Sequence, residues 1–148
     1  MDGGNMAFGF MGNLLRVDLT NRSVTVEKIS EQCTRMYLGG AGIASKYLFA
    51  EVPADTDALG PANKLIFMTG PLTGTSSASA SRYSVVAKSP LTGIWGHGNS
   101  GGSFGPAMKR SGYDGVIIEG ASDTPVYLSI MDGKATILSA DDIWGKKV

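Results

Sequence analysis

Glycines gather in three stretches of this chain, at 39–42, 70–74 and 93–105, and the rest of the fold has to be built around them. Five of them fall within the ten residues 96–105. They follow no fixed period, which excludes a collagen-type helix. A residue without a Cβ weakens the interior of a helix or strand, so clusters of this kind belong in loops and where backbone approaches another group closely. The elements are therefore short and lie between the clusters.

Weak alternation through Leu14–Leu19, a polar Thr20-Asn21-Arg22 and then Val24-Thr25-Val26 read as a β-hairpin. Ser30 is a fitting N-cap for a helix that places Cys33, Met36 and Tyr37 on one face, and Gly39-Gly40 ends it. A second helix runs from about Ile43 to Glu51, with Ala44, Tyr47 and Leu48 on its buried side and Pro53 as its stop. Lys64–Thr69 is an apolar strand expected to be buried on both faces. Residues 70–81 read as a Gly/Ser/Thr loop, Arg82–Lys88 as a strand and Ser89–Gly102 again as loop. A short helix spans Phe104–Arg110, Val116–Ile118 is a buried strand, and Val126–Met131 pairs with Ala135–Leu138 around Asp132-Gly133. Strands dominate and helices do not alternate with them, which is α+β rather than βαβ organisation.

Composition narrows the chemistry. Thirteen basic and thirteen acidic side chains cancel, so no basic surplus points to nucleic acid. One cysteine, Cys33, permits no intrachain disulfide and cannot hold an iron–sulfur centre, and one histidine, His97, cannot complete a zinc site with it. No signal peptide is read at the N-terminus and no run approaches the ~18–20 apolar residues of a membrane span, so a cytoplasmic protein without membrane attachment is expected. Residues 1–7 read as a leader outside the domain, either an upstream start or an expression scar; the domain itself is read as 8–148.

Gly96-His97-Gly98-Asn99-Ser100-Gly101 matches G-x-G-x-x-G letter for letter. A dinucleotide site needs a strand immediately before this motif and a long helix immediately after it. Ser89–Gly93 is loop chemistry, and the helix that follows is short, with Gly102 and Pro106 near its start. A nucleotide-binding domain using Gly96–Gly101 is thus the weakest of the functional readings. The glycines still allow main-chain N–H groups to lie close to an anion, and the helix beginning near Phe104 adds more of them. Arg82 opens a strand, where an arginine is usually solvated; its functional role would be a planar fork directed at phosphate or a ring. His97 has no carboxylate or nucleophile nearby in sequence and reads as a loop residue. Cys33 and Trp144 read as packing residues, and Trp95 beside the glycines as packing or the wall of a pocket.

Several blocks in order carry a more specific signal: Met11–Thr20, Tyr37-Leu38-Gly39-Gly40, Asn63–Phe67, Thr69-Gly70-Pro71-Leu72-Thr73-Gly74-Thr75, Ser81-Arg82-Tyr83 through Gly93, Asn99-Ser100-Gly101-Gly102, Phe104-Gly105, Gly112-Tyr113-Asp114 and Trp144-Gly145-Lys146. Taken together, from about residue 8 onward, they resemble the N-terminal domain of the aldehyde ferredoxin oxidoreductase family. The resemblance implies two mostly antiparallel β-sheets with a few short helices, forming a base for a tungsten (or molybdenum) bis-pterin. It implies oxidation of aldehydes to carboxylates, with electrons passed through a [4Fe–4S] cluster to ferredoxin or another acceptor. Arg82 takes the place of the family's arginine between pterin and cluster. Asn99 and Gly101 take the place of the loop at the pterin phosphates, and the main-chain carbonyl of Asn99 that of a magnesium ligand. No catalytic residue is assigned within the chain.

One position departs from the pattern: Ala41 stands where family members often carry arginine. The resemblance also implies that the cluster cysteines, the remaining pterin contacts and the catalytic domains lie in later parts of the polypeptide, absent from this chain. The fragment alone is expected to be inactive, and homo-oligomer formation stays open. A stand-alone, non-catalytic binding module of the same fold is the principal rival.

Overall fold

The computed structural model describes residues 9–147. The leader assigned to residues 1–7 lies outside them. Eight strands and three helices follow in chain order: β1 (Asn13–Asp18), β2 (Ser23–Lys28), α1 (Glu31–Tyr37), α2 (Ala41–Glu51), β3 (Lys64–Thr69), β4 (Tyr83–Lys88), β5 (Trp95–Ser100), α3 (Phe104–Arg110), β6 (Gly115–Glu119), β7 (Val126–Met131) and β8 (Lys134–Ser139). The first six strands in space form one sheet in the order β2-β1-β6-β3-β4-β5, and β7-β8 form a second. Among the described strand pairs only β1–β6 is parallel, with Leu14 opposite Gly115 and Asp18 opposite Glu119. This is the α+β, mostly antiparallel two-sheet architecture expected from the sequence.

Alternation along β1 sorts the core into two clusters. Leu14 faces α1 and α2, where Ile29, Cys33, Ile43, Ala44, Tyr47 and Leu48 pack on Ile66, Met68, Val86 and Ile117. Leu15 and Val17 face the other way, onto Met108 of α3, Tyr113 and Val116, and onto Leu128, Ile130 and Ile137 of the β7–β8 hairpin. The large sheet is therefore covered by helices on one face and by the hairpin with α3 on the other, as period-two side-chain alternation requires. Asp132 and Gly133 at the hairpin turn both have positive φ (49° and 74°), the primed turn geometry that matches strand twist.

Three expectations need correction. Cys33 is buried, but Met36 and Tyr37 are exposed. The helix stops at Leu38 in the left-handed region, and the chain swings through Gly39–Gly40 into α2, leaving the last turn of α1 off the core. β3 is not buried on both faces: Ile66 and Met68 are sealed under α2, whereas Leu65 on the opposite face is 40% exposed. The hairpin layer packs on the β1–β6 half of the sheet and leaves that part of β3 to solvent. Residues 95–100 form an edge strand rather than loop, because β4 supplies a complete partner, with Tyr83 opposite Ser100 and Lys88 opposite Trp95. The weak strand preference of glycine is overridden by tertiary pairing. Among the described residues no helix is long and apolar enough to cross a membrane.

Candidate functional site

The site begins with how the 70–82 loop is tied down. Thr73 is buried; its hydroxyl donates to the Arg82 carbonyl at 2.8 Å and accepts from the Gly70 N–H at 3.2 Å. The Gly74 N–H donates to the Ala80 carbonyl, closing the loop on itself. Gly105 lets α3 press against it: a Cβ there would lie 2.9 Å from the Ser81 carbonyl oxygen. The α1–α2 turn is anchored to the same region by a Gly40 N–H to Thr69 carbonyl bond of 2.9 Å. Arg82 thus leaves a fixed loop immediately before β4.

Register then decides what Arg82 meets. Ser84 lies opposite Asn99 and Val86 opposite His97, and the Arg82 guanidinium donates to the Asn99 side-chain oxygen. That is the only hydrogen bond the guanidinium makes among the described residues, so most of its five donors remain available to a ligand. Ser84 Oγ lies 3.3 Å from His97 Nε2, and the imidazole stacks on Trp95 with centroids 5.2 Å apart. Arg82, Ser84, His97 and Asn99 form one wall of an open cleft of about 480 Å³, whose other lining includes Gly40, Met68, Gly70–Thr73, Ser79 and Ala80.

Charge in the cleft has one sign. No aspartate or glutamate lines it, while Arg82 does. Gly40, the N-cap of α2, opens onto the cleft and no side chain caps that helix end. The positive end of the α2 dipole lies there and adds to the guanidinium, although the Gly40 and Gly42 N–H groups already donate to the Thr69 and Gly39 carbonyls. The arrangement suits a ligand bearing negative charge and hydrogen-bond acceptors.

Of the residues singled out from sequence, Arg82 and Asn99 lie together in one wall of the cleft. Gly101 lies just past β5, with Ser81 Oγ 3.4 Å from where a Cβ would stand, and does not line the cleft. His97, read as a loop residue, sits on β5 and faces into the cleft. Gly40, Thr73 and Ser84 were not legible as site residues. The sole hint was a serine at the inward position of an otherwise apolar strand, and its meaning depends on pairing with β5. Cys33 stays outside the site, and burial pushes its thiol pKa up.

Two charged clusters elsewhere are structural. Arg16 donates to Glu51 at 2.5 and 2.8 Å and to Glu27 at 2.6 Å, and Lys64 pairs with Glu51 and Glu119. Hydrogen bonding to Arg16 is the main influence holding the Glu51 carboxyl below its usual pKa. Burial pushes Glu27 up, but hydrogen bonds from Tyr47 and Arg16 outweigh it and leave the carboxyl low. In the second cluster, buried Lys109 and Asp114 pair at 2.7 Å.

The structure is thus an α+β domain with a small-residue, acid-free cleft on the helical face of its mixed sheet. The chain belongs to the aldehyde ferredoxin oxidoreductase family, matching the model of its N-terminal domain over residues 14–148. It is 46% identical over 141 residues to a tungsten-containing aldehyde ferredoxin oxidoreductase of Pyrococcus abyssi, covering 95% of this chain and 23% of that protein. The Pyrococcus furiosus protein of the same description is 45% identical over the same length. An aliphatic sulfonate oxidoreductase, WOR-like subunit, of Pyrococcus furiosus is 37% identical over 142 residues, 93% of this chain and 22% of that one. Among solved structures, the active site complex BamBC of benzoyl coenzyme A reductase with 1,5-dienoyl-CoA superposes with a TM-score of 0.93. It is 36% identical, over 95% of this chain and 22% of that one. The chain spans less than a quarter of the length of these relatives.

Proposed function

We propose that this chain is the base of the cofactor site in an oxidoreductase that oxidises aldehydes to carboxylates with a tungsten (or molybdenum) bis-pterin, passing electrons through a [4Fe–4S] cluster to ferredoxin. The observation that carries the reading is the Arg82–Asn99 pair in a cleft without carboxylates, opposite the uncapped end of α2. These residues fit a pterin with its phosphate: a guanidinium fork and the positive end of a helix dipole both favour phosphate oxygens. When bound, the metal–pterin group supplies the redox chemistry, by which an aldehyde and water become a carboxylate with release of two electrons and three protons.

The part played by this chain is binding, orientation and electrostatics. Arg82 directs its unused donors at acceptors of the bound group, while Asn99 holds the guanidinium in plane. Gly101, past the end of β5, leaves main chain open to the phosphate end, and the Asn99 carbonyl is the proposed magnesium ligand. The cluster would be held by the remainder of the polypeptide, since one cysteine, buried on α1, cannot bind it. Relatives described for aldehyde, sulfonate and benzoyl-CoA chemistry share this domain at 36–46% identity. That agrees with a domain that holds the cofactor while the substrate pocket is built elsewhere.

The test is metal content and aldehyde oxidation rate of the full-length enzyme carrying Arg82→Ala, Arg82→Lys or Arg35→Ala. Acceptors left unpaired by truncation cost about 1–3 kcal/mol each, so Arg82→Ala is expected to lose cofactor severely. Arg82→Lys keeps charge without the fork and should lose it in part. Arg35 is exposed and, among the described residues, pairs only with Glu31 one helical turn away, so its truncation should leave the enzyme at parental levels. Equal, near-parental behaviour of Arg82→Ala and Arg35→Ala removes Arg82 from the site.

A further inference from the structure

We propose that His97 is a direct contact of the group bound in the cleft, its imidazole hydrogen-bonding an oxygen or nitrogen of an anionic, ring-containing ligand beside Arg82. The inference rests on the cleft being the cofactor site, and it adds a residue that the sequence pattern alone gave no role.

Four observations carry it. His97 lies two residues from Asn99 on β5, so both side chains leave the strand on the same face, about 7 Å apart, and both line the cleft. Gly96 and Gly98, two of the three alternate positions, put no side chain on the opposite face, which carries only Ser100. The ring is held by stacking on Trp95 at an interplanar angle of 28°. Nε2 has one neighbour, the Ser84 hydroxyl at 3.3 Å, near the long end of the hydrogen-bond range, and Nδ1 has none among the described residues. An oriented imidazole with unused hydrogen-bonding capacity, facing a cleft without carboxylates, is placed to meet a polar ligand rather than to support the fold.

His97→Ala, His97→Gln and Arg82→Ala in the full-length enzyme separate the possibilities, with tungsten and pterin per protein measured after purification and again after timed dilution. Thermal midpoints of the metal-free proteins provide the folding control, and because His97 is exposed they are expected to be unchanged. One hydrogen bond to a charged partner corresponds to at least about tenfold in affinity, so His97→Ala should lose cofactor about tenfold faster than the parent. His97→Gln, which can place an amide donor near the same position, should recover part of the loss. If His97→Ala retains cofactor like the parent while Arg82→Ala loses it, His97 is a spectator and the cleft assignment stands. If neither variant loses cofactor, the cleft assignment itself falls and His97 falls with it.

Discussion

Truncating Asp114 should cost this domain a large share of its stability, although the residue lies outside the cleft. Its side chain is 1% exposed, and that of its partner Lys109 is 7% exposed. One carboxylate oxygen accepts from Lys109 Nζ at 2.7 Å and the other from the Met11 and Gly12 N–H groups at 2.9 and 2.6 Å. The Lys109 ammonium also donates to the Gly9 carbonyl. Asp114→Ala would leave a buried ammonium without its counter-charge, at about 3–5 kcal/mol. The two stranded N–H donors do not add in full, because the entering chain can shift to water. A total near 4 kcal/mol compares with a typical domain stability of about 5–15 kcal/mol. With a urea m-value of about 2 kcal/mol/M, the unfolding midpoint should fall by about 2 M. Asp114→Asn keeps an acceptor for the backbone and should lose less. The double variant Asp114→Asn with Lys109→Met should lose less than the sum of the two single ones, since it removes both charges together. A loss below about 1 kcal/mol for Asp114→Ala, or strict additivity in the cycle, would refute this account of the pair.

Two further consequences follow from packing and charge. Glu51 and Glu27 have pKa values lowered in the fold, so their contribution to stability is complete above the unfolded carboxylate range and is lost as pH falls through the lower folded values. Urea midpoints should be level from pH 7 to about 5 and decline below about 4.5. Arg16→Met removes the one cation shared by both carboxyls and should flatten part of that decline, with Tyr47 still holding Glu27 and Lys64 still holding Glu51. Gly115→Ala would place a Cβ 2.6 Å from the Phe67 carbonyl oxygen and 2.7 Å from Met68 Sδ, so it should lower the thermal midpoint sharply, while Gly98→Ala, with nothing within 4 Å, should not.

What could be read from sequence was what local chemistry decides. The Ser30 cap, with its hydroxyl accepting from the Cys33 N–H at 3.2 Å, is a local event, as is the Asp132-Gly133 turn; α3 was placed over Phe104–Arg110, where it lies. β5 could not be found that way. Its glycines carry no strand signal, and only pairing with β4 makes it a strand. The parallel β1–β6 pair joins segments about a hundred residues apart, with no local trace.

The candidate site divides along the same line. Arg82 and Asn99 were marked by family resemblance, but their contact depends on the β4–β5 register, which a loop reading of residues 89–102 could not contain. The same misreading made His97 appear incidental. The glycines of 96–98 read as loop in which backbone approaches another group closely, yet they lie in a strand and neither Gly96 nor Gly98 has positive φ. They leave the opposite face of the strand without side chains at two positions, while His97 and Asn99 line the cleft. A glycine alternating with functional residues can therefore signal a one-sided strand as readily as a loop. The distinction is whether a neighbouring strand of matching length is free to pair, and here Tyr83–Lys88 is that strand.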